Sequence, residues 1–291
     1  MNILIGGAAL YGAVVTGLYL AQDTMLFPRH AASIATYPLP AGAERLTLQT
    51  PDGAQLTGHL VRARQPSRGL LLGFPGNAWN AQDMTVFLAH RLPDLDIAVF
   101  HYRGYAPSEG EPGEEAFYAD AALIHDALVR RLEPARVVAA GFSLGSSVAS
   151  WLAGRRALAG LLLVTPFDSI EAIARTRYFW APVGRLIKNR FRSSLHLKDS
   201  DVPTAVILAS RDRIVPPERS QALLRVLRCP VLVETVPHST HNGIYDHEEF
   251  DHLLERSMEL LVGVGGQRPG GDAALLPVCD PEAAAALEEA D

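Results

Sequence analysis

The sequence predicts an α/β protein: a mostly parallel central sheet with helices on both faces. Three observations carry that prediction. Six short runs, at 69–74, 97–100, 137–140, 160–164, 204–208 and 231–236, are apolar at consecutive rather than alternate positions. A helix-length stretch separates each run from the next. Strands apolar on both faces must be covered on both faces, which alternating βα connections achieve for a parallel sheet.

The elements follow in chain order. Residues 3–21 carry no charge and are almost wholly apolar, long enough to cross the hydrocarbon of a bilayer. A cleaved signal peptide needs a basic n-region, and Met1 and Asn2 supply no basic side chain. Its small-x-small cleavage site is also poor, because Leu18, Tyr19 and Leu20 place bulk ahead of Ala21. Residues 1–22 are therefore expected to be an uncleaved, single-pass N-terminal membrane anchor, with too few flanking Lys and Arg to set its orientation. An irregular neck over 23–45 follows. The alternating stretches 46–50 and 55–62 flank Pro51-Asp52-Gly53, a hairpin with Asp-Gly as its turn signal. Helices are expected over 81–92, 113–132, 146–155, 218–227 and 245–262. The segment 168–200 is longer than a crossover needs and interleaves apolar residues with Arg175, Arg177, Arg185, Lys188, Arg190 and Arg192. It reads as a short helical lid insertion over the carboxyl edge of the sheet. From 263 the chain turns to Gly, Pro, Ala and Glu, and 263–291 is expected to be a disordered acidic tail. One large domain over 46–262 holds the fold.

Composition narrows the function classes. A net charge of −6 and a pI near 5.9, with no basic stripe carrying aromatics, argue against a nucleic-acid partner. Cys229 and Cys279 make neither a disulfide framework nor a zinc-ligand spacing, and Cys229, ahead of an apolar run, reads as a small core residue.

The chemistry starts at Gly141-Phe142-Ser143-Leu144-Gly145, between the apolar run at 137–140 and a helical stretch. Strand, Gly-x-Ser-x-Gly and helix together lift a serine oxygen out of a parallel sheet, the flanking glycines letting the helix pass close to the strand. The plainer reading makes Ser143 an N-cap. A nucleophilic serine needs a base, and the base an orienting carboxylate. In an open α/β sheet these come from loops at the carboxyl ends of strands. The loop at 210–216 offers Asp212, and the loop at 237–243 offers His238 and His241. The order Ser143, Asp212, His241 is that of nucleophile, acid and base in one of the known serine-hydrolase arrangements.

Through Phe74-Pro-Gly-Asn-Ala78, Tyr102-Arg-Gly-Tyr-Ala-Pro-Ser-Glu-Gly110, Gly141 to Gly145, Asp212-Arg-Ile-Val-Pro216 and His241-Asn242, residues 46–262 resemble the α/β-hydrolase superfamily. Within it the chain is similar to small-lidded, membrane-anchored serine hydrolases, a branch with depalmitoylase-like and serine aminopeptidase-like members. The anchor followed by Met25-Leu-Phe-Pro28 fits that branch.

The resemblance implies an α/β-hydrolase fold and a Ser143–His241–Asp212 triad. It favours His241 over His238 because the family histidine is followed by Asn or Asp, and Asp212 over Asp168 because Asp212 fits the motif. It implies an oxyanion hole made by the main-chain N–H groups of Leu144 and Asn77, with no metal and no organic cofactor. Two positions depart from the family: Pro75 where His is usual, and His101 where Asp commonly precedes Tyr-Arg-Gly. His101 is expected to be structural, and Tyr102 and Arg103 to brace their loop. The implied activity is hydrolysis of carboxylic esters or thioesters through an acyl-enzyme, on small-molecule or lipid-like acyl substrates. The alternatives are a serine peptidase on the same triad and a membrane-tethered binding protein without chemistry. The basic insertion argues against the acidic amine-binding site a peptidase would need.

Overall fold

The computed structural model describes residues 2–64 and 66–263. The tail expected over 263–291 falls, beyond Gly263, outside the described residues. An eight-stranded sheet runs in the order β1 (Glu44–Gln49), β2 (Gln55–Val61), β4 (Asp96–Phe100), β3 (Leu70–Phe74), β5 (Val137–Phe142), β6 (Gly160–Val164), β7 (Thr204–Ala209) and β8 (Pro230–Val236). Strands β3 to β8 are mutually parallel where they pair, whereas β2 pairs antiparallel with both β1 and β4. This is the α/β-hydrolase architecture expected from the sequence.

The period of two along each strand divides the interior into two cores. Leu72, Ala139, Leu163 and Val206 face the core shared with α3 (Glu114–Leu132), α4 (Leu144–Ala153) and α8 (Pro217–Leu224). Their neighbours Leu71, Ala140, Leu162 and Ile207 face the opposite core, closed by α2 (Ala81–Arg91) and α9 (Glu248–Val262). Full burial on both sides explains the unbroken apolar runs, each large side chain contributing roughly 1.5–3 kcal/mol.

Local signals set the helix ends. Asn80 caps α2 by accepting from the Gln82 N–H at 2.8 Å. In α3, Glu114 and Glu115 occupy the first turn and Arg130 and Arg131 the last, complementing the helix dipole. The helix expected over 146–155 begins instead at Leu144, because the turn carrying Ser143 feeds straight into it. The one expected over 245–262 divides into a 3₁₀ turn, Gly243–Asp246, and α9, whose N-cap is His247.

Helix α1 spans Asn2–Leu26, about 37 Å of helix against about 30 Å of hydrocarbon, and is long and apolar enough to cross a membrane. Its apolar window is not buried, unlike that of a core helix. The neck differs from expectation. Helix continues through Asp23 to Leu26, and Phe27 enters the core edge-on to Phe117 and Phe191. Beyond it, the Asp83 carboxylate accepts from the Thr36 and Tyr37 N–H groups at 2.8 and 2.9 Å. The segment 168–200 holds three short helices, α5 (Ile170–Arg177), α6 (Val183–Leu186) and α7 (Ser193–Leu197). Cys229 is buried as expected. Cys279 lies outside the described residues.

Candidate active site

Strand β5 lies mid-sheet between β3 and β6 and delivers Ser143 at its carboxyl end. Ser143 has φ 50° and ψ −116°, a left-handed conformation that costs a non-glycine residue roughly 1–3 kcal/mol. Several contacts hold it there. Its N–H donates to the Val164 carbonyl at 2.9 Å. Its carbonyl accepts from the Ser146 N–H at 2.9 Å and the Ser146 hydroxyl at 2.6 Å. The flanking glycines are required by close approach. A Cβ on Gly145 would sit 2.0 Å from the Phe74 carbonyl oxygen, and one on Gly141 2.4 Å from the Gly145 carbonyl oxygen.

Asp212 and His241 follow the carboxyl ends of β7 and β8. The Asp212 Oδ1 accepts from the N–H groups of Ile214 and Val215, both at 2.8 Å, which locks the carboxylate in its loop. Its Oδ2 lies 2.6 Å from His241 Nδ1, and His241 Nε2 lies 2.9 Å from Ser143 Oγ. Both side chains are 7% exposed, so water barely screens the pair. With Nδ1–H donated to Asp212, the free lone pair is on Nε2, facing the serine hydroxyl. The structure thus brings Ser143, His241 and Asp212 into one hydrogen-bonded chain.

Leu144 is the first residue of α4, so its N–H is one that the helix leaves over. Asn77 sits in the turn after β3, beside Gly76, where an added Cβ would be 3.7 Å from the Ser143 Cβ. Among the described residues, the turn and loop hydrogen bonds engage neither N–H. Pro75 has no N–H, but its carbonyl accepts from the Tyr102 hydroxyl at 2.9 Å, bracing the turn.

The competing residues lie elsewhere. His238 is exposed, with Nδ1 2.7 Å from an Arg211 guanidinium nitrogen. Asp168 accepts from Arg219 at 3.2 Å and makes no hydrogen bond to His241 among the described residues; burial pushes its carboxyl up. His101 packs edge-on against His59 in the antiparallel part of the sheet, and burial pulls its pKa down to about 4. Arg103 forks onto Asp120, both nearly buried, and reaches Asp52 in the hairpin turn.

Three supporting neighbours, Tyr105, Leu26 and Ser146, carry no functional signal in the sequence. The Tyr105 hydroxyl donates to Asn77 Oδ1 at 2.7 Å, and Asn77 Nδ2 donates to the Leu26 carbonyl at the end of α1. The buried Ser146 hydroxyl supports the serine turn. Tyr105 stands inside a motif that the sequence does display, but no local signal assigns its hydroxyl a partner 28 residues away.

No protein-family model matches the chain. An uncharacterised protein of Mycobacterium tuberculosis is 31% identical over 242 residues, 81% of this chain and 85% of its own. The lysophosphatidylserine lipase of Danio rerio is 29% identical over 173 residues, 52% of this chain and 45% of its own length. Among solved structures, an α/β-hydrolase from Vibrio vulnificus superposes with a TM-score of 0.64 at 19% identity, over 83% of this chain and 91% of its own.

Proposed function

Because the chain belongs to the α/β-hydrolase superfamily, we propose that it is a membrane-associated serine hydrolase that cleaves carboxylic esters or thioesters through Ser143, His241 and Asp212. The observation that carries this reading is the continuous 2.9 and 2.6 Å relay from Ser143 Oγ through His241 to Asp212. His241 Nε2 takes the hydroxyl proton as Ser143 Oγ bonds to the acyl carbon and the carbonyl π pair moves onto oxygen. The resulting oxyanion accepts from the N–H groups of Leu144 and Asn77. As the tetrahedral centre collapses, the bond to the leaving oxygen or sulfur breaks and His241 returns the proton to it. Water then repeats the cycle on the acyl-enzyme, releasing the acid and restoring Ser143. Asp212 holds the Nδ1–H tautomer and stabilises the imidazolium at each proton transfer.

Membrane association rests on α1. An ester substrate is supported by the lipase among the relatives, and a peptidase reading is disfavoured by the insertion's charge. Its buried carboxylate, Glu171, is already taken up by Arg175, Arg190 and Arg192.

The test is pre-steady-state hydrolysis of p-nitrophenyl esters and matched thioesters by the full chain in detergent. A burst stoichiometric with enzyme, absent in Ser143→Ala, is expected. Equal turnover by the variant overturns the reading.

A further inference from the structure

The C-terminal half of α1 does not stand clear of the protein. Leu18, Met25 and Leu26 on one side, and Ile170, Ile173 and Ala174 of α5 on the other, wall a cleft of about 270 Å³ that α6 completes. Its α1 wall runs from Val15 to Leu26, about 16 Å of helix, which gives the cleft a long dimension along α1; we call it the slot.

Two of the slot's polar side chains, Gln22 and Asn189, are engaged, whereas Arg177 and the Tyr19 and Tyr178 hydroxyls line it without a side-chain hydrogen bond among the described residues. The Gln22 side chain donates to the Leu186 carbonyl at 3.2 Å and accepts from the Lys188 N–H at 2.8 Å. Asn189 donates to Asp23 at 2.9 Å and accepts from the Glu114 N–H at 2.9 Å. Most of the lining is nonetheless hydrocarbon, from Val15, Leu18 and Met25 of α1 to Ile170, Ile173 and Leu186 opposite, which favours an alkyl chain over a polar ligand.

The slot is built into the fold at both ends. Phe27, immediately after α1, is buried against Phe117 and Phe191, and the Tyr11 hydroxyl donates to the Trp180 carbonyl at 3.0 Å. At the inner end, Leu26 lines the slot while its carbonyl takes the Asn77 side chain, whose main-chain N–H stands beside the serine turn. Ile170 lines it too and follows Asp168 and Ser169 past the end of β6, the strand whose Val164 carbonyl holds the Ser143 N–H. At the outer end, the apolar upper part of α1 continues beside Trp180, and the neighbouring Phe179 is 84% exposed.

We propose that this slot binds the acyl chain of the substrate, with the scissile carbonyl at Ser143 and the chain running outward along α1 toward the bilayer. Helix α1 is then a wall of the substrate site as well as an anchor. The proposal rests on the hydrolase reading of Ser143, and it implies that the long dimension of the slot sets the preference for long chains.

Two measurements on the full chain separate failure of the slot from failure of the chemistry. Ser143→Ala protein in phosphatidylcholine vesicles is photolysed with palmitic acid carrying a mid-chain diazirine, and labelled residues are mapped by mass spectrometry. Labels on Leu18, Met25, Ile173 or Ala174 are expected, competed by excess palmitate and reduced at least fivefold in an Ala174→Trp background that fills the slot. In otherwise wild-type protein, Ala174→Trp should lower the ratio of palmitoyl to butyryl ester turnover at least tenfold. Labels confined to Ile5, Leu10 and Val14 without competition, or no label at all, overturn the proposal, as does an unchanged ratio. Slot labelling with no ester turnover by wild type upholds the slot and defeats the hydrolase reading instead.

Discussion

Replacing Asp212 by asparagine isolates the orienting role of the carboxylate. Asp212 Oδ1 accepts two main-chain N–H groups at 2.8 Å, and Oδ2 accepts His241 Nδ1–H at 2.6 Å. Asparagine has only one acceptor oxygen, and the two N–H groups claim it. The opposite orientation would lose both hydrogen bonds, roughly 0.5–1.5 kcal/mol each, and set an amide NH₂ against two donors. The NH₂ therefore meets Nδ1, and His241 must carry its proton on Nε2. That proton faces Ser143 Oγ at 2.9 Å, so the base has no lone pair to offer. A wrong tautomer with intact geometry costs a Ser-His-Asp enzyme about 10⁴ in kcat, or about 5 kcal/mol of barrier. The expected result is a kcat loss of about that size on a p-nitrophenyl ester, with KM and the urea midpoint close to wild type. Loss of less than tenfold in Asp212→Asn, together with inactivation by Asp168→Asn, would transfer the orienting role to Asp168.

Gly145→Ala places a methyl 2.0 Å from the Phe74 carbonyl oxygen and 2.7 Å from that of Pro75, and neither main-chain atom can swing away. Urea denaturation should show at least ~3 kcal/mol of destabilisation, and a wild-type midpoint would contradict the close approach. Arg103→Ala strands the nearly buried Asp120 carboxylate, which burial already pushes up against the pull of Arg103. The expected loss is about 3–5 kcal/mol by chemical denaturation, partly recovered when Asp120 is also made apolar; a loss below 1 kcal/mol would contradict a buried pair. His101, held neutral by burial and by the nearby His59 and Arg45 against the opposing pull of Asp83, has its folded pKa at about 4 against 6.5 unfolded. Its stabilising contribution is complete above pH 6.5 and is lost as pH falls toward 4, about 2 kcal/mol by pH 5. Unfolding free energies measured from pH 7 to 4.5 should fall less steeply in His101→Gln, and identical slopes would rule the residue out as the source.

The parts of the molecule that were legible in the sequence are those with a local physical cause. Burial on both faces writes itself into β3 to β8 as unbroken apolar runs, and the crowding at Gly141 and Gly145 leaves no residue but glycine. Strand ends narrowed the base to His238 or His241 and offered Asp212 beside the competing Asp168, the family resemblance chose His241 and Asp212, and the structure brings both to Ser143. What stayed hidden depends on partners far apart in the chain. Phe27 looked like part of a loose neck, yet it is fixed by rings about 90 and 164 positions further on. The tie from Asn77 to Leu26 has no signature in either segment, because an asparagine after a glycine reads simply as a turn. Tyr105 and the slot along α1 were invisible for the same reason: tertiary packing alone creates them.

The central claim is that Ser143 is a nucleophile activated by His241. It is tested most directly by treating the folded full chain with a fluorophosphonate and mapping the adduct by mass spectrometry of the peptide containing residues 141–145. A single phosphonyl adduct on Ser143 is expected, lost in Ser143→Ala and slowed at least a hundredfold in His241→Ala. A folded protein that resists the probe, or an adduct on another residue that persists at wild-type rate in Ser143→Ala, would contradict it.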